Sequence, residues 1–261
     1  MSLVYVYAIA RAGSTAPQAL RGLDDAAVRA VADGGLAAFV SDVAERDYAE
    51  EPLNAHIADM EWLTPRAVRH QEVNAALAAV CDPLVPLSFG TVFRDDARVT
   101  RMLNERAAEL GPRFEALRGR SEWIAVVRRD RVRALAAVES ESELLRALRS
   151  EIEAAPPGRA YLLTRQLDET KRTELRASDA AAIVDATEAF ERAQMRLFCE
   201  PLVEDAGGGM LARFSVLARR DAGGSLDGIG DAYAKRWAAR GYTLELSGPW
   251  PAYRFSTVEL A

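Results

Sequence analysis

Residues 3 to 10, Leu-Val-Tyr-Val-Tyr-Ala-Ile-Ala, decide how the fold of this chain begins. The run is rich in β-branched and aromatic residues, which favour strands. It is apolar on both faces, which is typical of a strand at the centre of a sheet. Arg11-Ala12-Gly13-Ser14 then ends it with turn-forming residues. We therefore predict that residues 3 to 10 form the central strand of a first sheet.

A β-hairpin is predicted after the loop that follows this strand. The segments 27–31 and 36–40 are separated by Asp33-Gly34-Gly35, and glycines of this kind supply the backbone conformation of tight hairpin turns. A further short strand is expected at 85–89. Pro83 and Pro86 place it at a sheet edge or beside a loop, because proline cannot donate a ladder hydrogen bond.

Helices are predicted between and after these strands. Apolar residues recur at spacings of three and four from Met60 to Cys81, a stripe that includes His70. Thr64-Pro65 is a favoured helix start, so the pattern predicts two helices, about 53–63 and 65–80, meeting at a bend. Asp95-Asp96 is expected to cap a helix to about Leu117, interrupted or ended near Gly111-Pro112.

The second half of the chain repeats the alternation of strand and helix. The expected elements are a strand at 123–127, a helix around 141–154, a long helix from Tyr161 to Cys199, a loop at Gly207–Gly209, a strand at 210–218, a helix ended by Gly241 and a strand at 242–246. This order predicts an α+β protein of two domains, residues 1–119 and residues 120–261. The second is expected to be ferredoxin-like with a helical insertion.

Composition limits the classes of function. The 261 residues carry a formal net charge of -6, which disfavours general attraction to nucleic acid or to an anionic membrane. No signal-peptide pattern and no run of about 18–20 apolar residues occurs. Cys81 and Cys199 are expected to be reduced thiols on buried helix ends. We therefore expect a cytoplasmic protein.

The chain lacks the common catalytic patterns. There is no Gly-x-Ser-x-Gly, His-Glu-x-x-His or Cys-x-x-Cys, and the two histidines are His56 and His70. We predict no catalytic residue, no metal and no cofactor. A packing role is favoured for His70. The alternative that stays open is an enzyme or small-ligand protein with an inter-domain cleft near His70.

Two other segments could suggest nucleic acid or phosphate. The basic run from Arg128 to Arg133 follows a strand, and a solvated edge with local carboxylate partners explains it better than a nucleic-acid groove. The glycines between Gly223 and Gly230 lack the lysine and hydroxyl residue of a phosphate loop, which favours a connector.

The C-terminal segment from Ser247 to Phe255, Ser-Gly-Pro-Trp-Pro-Ala-Tyr-Arg-Phe, is fixed by prolines and rich in aromatic residues. It is interpreted as a lid that packs on its own domain, as an exposed aromatic contact surface, or as both. The candidate residues for contact with another protein are Pro249, Trp250, Pro251, Tyr253 and Phe255.

Several blocks in one order resemble the gas vesicle protein GvpF/GvpL family. The most specific is Val85–Phe93, which is similar to the family's Leu-Pro-x-Arg-Phe-Gly-Thr-Val-Phe block and departs from it at Ser88, where the family frequently has Arg. The C-terminal segment is similar to Thr-Gly-Pro-Trp-Pro-Pro-Tyr-Ser-Phe, with departures at Ala252 and Arg254. Further similar blocks are Leu3–Ile9, Leu36–Ser41, Trp62–Val80, Glu122-Trp123 and Gly158–Leu162.

The resemblance implies an accessory or minor structural protein of gas vesicle formation. It implies binding to the small apolar shell protein and to other accessory proteins in the cytoplasm, at gas vesicles. It implies neither catalysis nor a cofactor, and no nucleic acid, membrane or small-molecule substrate is expected as a partner.

Overall fold

The computed structural model describes residues 2–202 and 209–256, which form two compact units. The first unit contains the described residues up to Glu122 together with those from Pro249 on, and the second is Trp123–Gly248. The expected second domain, 120–261, therefore differs from the second unit at its end. Residues 249–256 belong to the first unit because they pack and hydrogen-bond there. Gly207 and Gly208 of the expected loop lie outside the described residues.

Helices and strands alternate along both units. In chain order they are β1 (Ser2–Arg11), β2 (Arg29–Asp33), β3 (Leu36–Ala44), α1 (Glu45–Tyr48), α2 (Glu50–Ile57), α3 (Met60–Val80), β4 (Leu84–Pro86), β5 (Val92–Phe93), α4 (Asp96–Leu117), β6 (Arg120–Arg129), α5 (Arg131–Glu141), α6 (Glu143–Ala154), α7 (Pro157–Arg192), β7 (Arg196–Cys199), β8 (Met210–Arg219), α8 (Gly223–Trp237), β9 (Tyr242–Trp250) and α9 (Tyr253–Ser256).

The sheet of the first unit has the order β2-β3-β1-β4, and β5 also pairs with β1. The predicted central position of β1 is confirmed, and so is the edge position of the proline-containing β4. Strands β2 and β3 form the predicted hairpin, and Gly34 and Gly35 both have positive φ at its turn. The register between β1 and β3 shifts between Val6 and Ala8, so Tyr7 is an extra residue.

The helices of the first unit differ from the predicted ones at their boundaries. The break lies at Ala58-Asp59 rather than at Thr64-Pro65, because the Asp59 carboxylate accepts hydrogen bonds from the backbone N–H groups of Glu61 and Trp62. Helix α3 then continues through Pro65, and α4 continues through Pro112. Met60, expected on the buried stripe, is exposed.

The second unit has the sheet order β7-β8-β6-β9. The predicted helix around 141–154 is confirmed as α6, which Ser142 caps, whereas α5, directly before it, was not predicted. The predicted helix to Cys199 ends at Arg192, since the chain turns at Gln194, which has positive φ, and continues as β7. Cys199 therefore lies on a strand and is exposed, contrary to our expectation, whereas Cys81 is buried as expected and both are free thiols.

Each unit has its own apolar core. In the first, β1 and β3 pack against α3 through side chains that include Tyr5, Phe39 and Leu77. In the second, β6 and β8 pack against α7 and α8 around Phe190 and Trp237. A smaller cluster joins α6 to the start of α7. Among the described helices, none is long and apolar enough to cross a membrane.

Candidate functional site

Two tyrosines of β1 bring polar groups into the core of the first unit. Tyr5 and Tyr7 are two residues apart, so both side chains lie on the face that packs against α3. The Tyr7 hydroxyl accepts a hydrogen bond from the Leu23 N–H (2.7 Å) and forms a second hydrogen bond with the Ser41 hydroxyl (2.7 Å). Burial raises the pKa of the Tyr7 phenol. This tyrosine therefore ties the loop before β2 to the sheet.

Tyr5 connects β1 to His70. Its hydroxyl accepts from the Gly90 N–H at 3.1 Å and lies 2.8 Å from His70 Nδ1. The phenol proton is then available to Nδ1, and burial raises the pKa of the Tyr5 phenol well above its usual value, so that proton is retained. His70 Nδ1 is therefore an acceptor in this network.

The other ring nitrogen of His70 points to the chain after β4. Nε2 lies 3.2 Å from the Leu87 carbonyl, which can only accept, so this nitrogen carries the proton. Burial lowers the pKa of His70 to about 4, and the imidazole is neutral at pH 7. Both ring nitrogens are used inside the protein, as the packing role predicts, and the ring is 4% exposed. The alternative of a ligand-binding cleft at His70 gains no support from this arrangement.

Asn74, one helical turn after His70, connects the network to the C-terminal segment. Its Nδ2 donates to the Tyr253 hydroxyl at 2.8 Å. Nδ2 also lies 3.0 Å from His70 Nε2, but this contact is not a hydrogen bond when Nε2 carries the proton, because both groups are then donors. Burial raises the pKa of Tyr253 to about 12. The contact joins residues 179 positions apart in the sequence. The blocks Val85–Phe93 and Ser247–Phe255 thus meet at one buried group of side chains.

Further hydrogen bonds hold the C-terminal segment in the first unit. The Arg254 N–H donates to the buried carboxylate of Glu122 at 2.8 Å, and Arg113 donates to the Ser256 carbonyl at 2.9 Å. The Ser256 side chain is fully buried. The segment is therefore fixed at several points along its length.

The five candidate contact residues differ in exposure. Pro249 is exposed and Trp250 is 39% exposed, whereas Pro251 is buried. Tyr253 and Phe255 are half-buried, and the Tyr253 hydroxyl points inward to Asn74. The structure brings all five into one short segment. Pro249 and Trp250 are the two that present most of their surface outward.

The remaining polar candidates have local partners. In the basic run, Arg128 pairs with Glu245 at 2.9 Å and Arg129 pairs with Asp179, which confirms the predicted carboxylate partners. The predicted solvated edge is wrong for these two residues, because β6 lies between β8 and β9 and the Arg129 side chain is 14% exposed. The His56 ring stacks on Trp62 with centroids 4.5 Å apart. Within residues 2–202 and 209–256, no group of three or more His, Cys, Asp or Glu side chains could hold a metal ion.

Sequence reasoning missed Tyr5, Asn74 and Glu122 as members of this site. A signal for Tyr5 was present, since a tyrosine in a strand apolar on both faces must find a hydrogen-bond partner. Asn74 lies at i+4 from His70, on the same helix face. No neighbouring residue indicated a role for Glu122, because its partner, Arg254, lies 132 positions further along the sequence.

Comparison with known proteins identifies one family that matches nearly the whole chain. The model of the family described as gas vesicle synthesis protein GvpL/GvpF matches residues 3–257. Gas vesicle protein F of Streptomyces sp. (strain CB03234) is 31% identical over 258 residues, covering 96% of this chain and 98% of the relative. Gas vesicle protein L of the same strain is 37% identical over 122 residues, which cover 46% of each chain.

A solved structure has the same fold. The crystal structure of the gas vesicle protein GvpF from Anabaena sp. PCC7120 superposes with a TM-score of 0.75 at 18% sequence identity, and the match covers 100% of both chains. The mixed helix and sheet architecture is therefore shared over the whole length.

Proposed function

Since the chain belongs to the gas vesicle synthesis protein GvpL/GvpF family, and its role therefore lies in gas vesicle assembly, we propose that it binds the small apolar shell protein and other accessory proteins while vesicles form. We place this activity in the cytoplasm, at the growing vesicle. The protein acts by binding, without a cofactor.

One observation carries the proposal: an edge strand leads directly into the exposed aromatic residue. Strand β9 is the last strand of the second sheet, and its final residue is Trp250. Edge strands present unpaired backbone groups that a partner strand can use, and a neighbouring aromatic side chain adds apolar contact area. The edge strand and the exposed aromatic residue thus belong to one continuous stretch of the sequence.

The anchoring after Trp250 supports the same role. The hydrogen bonds of Arg254 and Tyr253 fix the chain within four residues of the indole. A contact residue held in place loses little conformational freedom on binding, so more of its contact energy appears as affinity. Trp is also among the residues that most often dominate binding energy at protein interfaces.

A shell subunit with a strongly apolar face would aggregate before assembly. A partner that covers that face until the subunit is incorporated keeps the subunit competent for assembly.

We interpret the second unit as the ferredoxin-like domain that provides the edge strand. Its order of elements, β6, then α5 to α7, then β7, β8, α8 and β9, supports this interpretation.

The substitution Trp250→Ala tests the proposal. We expect at least about tenfold weaker binding to the purified shell protein, because an aromatic contact residue is removed. We also expect fewer buoyant vesicles in cells that carry the variant. Binding is measured by retention of solubilised shell protein on the immobilised accessory protein, and vesicle yield by light scattering.

Tyr161→Ala is the matched control, because Tyr161 is an exposed aromatic residue on α7, away from this segment in the sequence. It should leave binding and yield unchanged. Both variants should unfold within about 0.5 kcal/mol of the wild type. If the wild-type protein does not retain the shell protein, or if the two variants behave alike, the proposal is wrong.

A further inference from the structure

Helix α3 has an apolar outer face. Its inner side carries His70, Val73, Asn74 and Leu77, all buried. On the outer side lie two exposed large apolar side chains, with exposed fractions of 66% for Met60 and 53% for Val68. Side chains of this size gain free energy when they are covered.

The outer residues of α3 lie along one line. Met60, Thr64, Val68, Ala75 and Ala79 are separated by four, four, seven and four positions, which places them on the same side of the helix, and all five are exposed. Gln71 and Glu72 lie on that side between Val68 and Ala75, and Glu72 pairs with Arg69. The alanines at the far end leave room for close approach of a second helix. We call these five residues the α3 outer face.

The beginning of this face lies in a strongly acidic stretch. Residues 45–64 contain six carboxylates and one arginine. Glu50, Glu51 and Glu61 are exposed, and none of them forms an ion pair with a described residue. Their positions in the first turns of α2 and α3 favour the helix dipoles. That role does not neutralise them, so the local charge is available to a positively charged partner.

The helix is held rigid from inside. His70 and Asn74 tie its middle to β1, to the chain after β4 and to the C-terminal segment. Its first turn is capped by Asp59. A surface fixed in this way does not have to be ordered when a partner binds.

We propose that the α3 outer face docks a cationic amphipathic helix of a partner protein. The apolar side of that helix packs along Met60 to Ala79, and its Lys or Arg side chains meet Glu50, Glu51 and Glu61. The face is separate from the segment around Trp250, so this interaction does not depend on shell-protein binding there.

The experiment uses the full-length protein and a fluorescent synthetic 18-residue helix with Leu and Ala on one side and Lys on the other. Binding is followed by fluorescence anisotropy. Val68→Arg should weaken binding at least about tenfold. The apolar contact between Val68 and the peptide is lost, and the new arginine repels the lysines of the peptide. Val184→Arg is the control. Val184 belongs to α7, and its exposed fraction of 52% is almost the same as that of Val68. The Val184→Arg variant should bind the peptide within about twofold of the wild type.

Charge is tested with a second pair of measurements. The double variant Glu51→Gln, Glu61→Gln should bind the cationic helix more weakly at low salt and should lose less affinity than the wild type when salt is raised. The same peptide with Glu in place of Lys should not bind. Trp250→Ala should bind the cationic helix as the wild type does, which separates this test from that of shell-protein binding.

Three outcomes would overturn the inference. They are failure of the cationic helix to bind the wild type, equal loss in Val68→Arg and Val184→Arg, and equal binding of the acidic peptide. A fourth such outcome comes from sedimentation of the protein without peptide. If the wild type is a dimer and Val68→Arg dissociates it, the α3 outer face binds a second copy of this chain and the proposal is wrong.

Discussion

At the scale of single residues, His70 connects the chain after β4, the first strand and α3 because both of its ring nitrogens are used. A neutral imidazole is required, since a second proton would remove the acceptor for Tyr5. Burial lowers the pKa of His70, so the folded protein favours this neutral form of the ring.

This residue predicts how stability depends on pH. The unfolded chain binds a proton at His70 below its ordinary pKa of about 6.5, whereas the folded chain binds it only near 4. Stabilisation from the neutral ring is therefore complete above about pH 6.5 and is lost as pH falls towards 4. The loss should reach about 2 kcal/mol at pH 5 and about 3 kcal/mol near pH 4. Urea unfolding of the wild type and His70→Gln at pH 7, 6 and 5 measures it.

The stability advantage of the wild type over His70→Gln should shrink steadily over that range. Carboxylates titrate in both proteins and cancel in the difference. A difference that stays constant from pH 7 to pH 5 would show that His70 is not the group responsible.

At the scale of elements, Gly241 fixes the turn between α8 and β9. Its φ is +81°, and a Cβ atom there would lie 2.7 Å from Arg133 Cβ and 2.9 Å from the Ala134 nitrogen. The chain can therefore leave the helix only with glycine at this position.

Gly241→Ala should destabilise the protein more than Gly13→Ala. Gly13 also has positive φ, +88°, but nothing lies within 4 Å of its Cβ position. Gly13→Ala should cost about 1 kcal/mol through backbone strain, and Gly241→Ala should cost roughly 1–3 kcal/mol more through overlap with α5. Chemical denaturation measures both. Equal losses would mean that the close contact is relieved by a shift of α5.

A turn or a helix end could be predicted from the sequence where the residues at that position determine the backbone conformation. Gly34-Gly35 specified the hairpin because the required backbone angles belong to those two residues, and Gly241 specified a helix end in the same way. Strand β7 was missed, because Leu197 and Phe198 continue the apolar spacing of α7 and only the turn at Gln194 separates them. The break before α3 was missed because Asp59 was a stronger cap than Thr64 with its proline.

The candidate site was predictable only in part, for the same physical reason. The aromatic C-terminal segment was evident from its composition. Its attachment to Asn74 was not, since a hydrogen bond between residues 74 and 253 leaves no trace in the spacing of either segment.

At the scale of the whole molecule, the first unit depends on two segments that are far apart in the sequence. A protein that ends at Gly248 lacks the residues bonded to Asn74, Arg113 and Glu122. Each of these buried or half-buried groups then loses a partner, at a cost of about 1–3 kcal/mol for a buried one. Hydrogen exchange should become faster in β1, α3 and β4, while β8 and α8 keep their protection.

A protein that ends at Ser256 is the control, because it retains every one of these contacts. Its exchange pattern should match that of the full-length chain. Equal acceleration in both units of the shorter protein would show instead that the segment stabilises the molecule without preference for the first unit.

The return of the C-terminal segment to the first unit also affects how the protein is made. Synthesis proceeds from the N-terminus, so β1, α3 and β4 leave the ribosome long before Tyr253 does. Asn74 therefore lacks its partner until Tyr253, 179 positions further along the chain, has been synthesised. The first unit therefore reaches its final form only after residues 249–256 emerge, and a chain terminated before them carries an unfinished first unit.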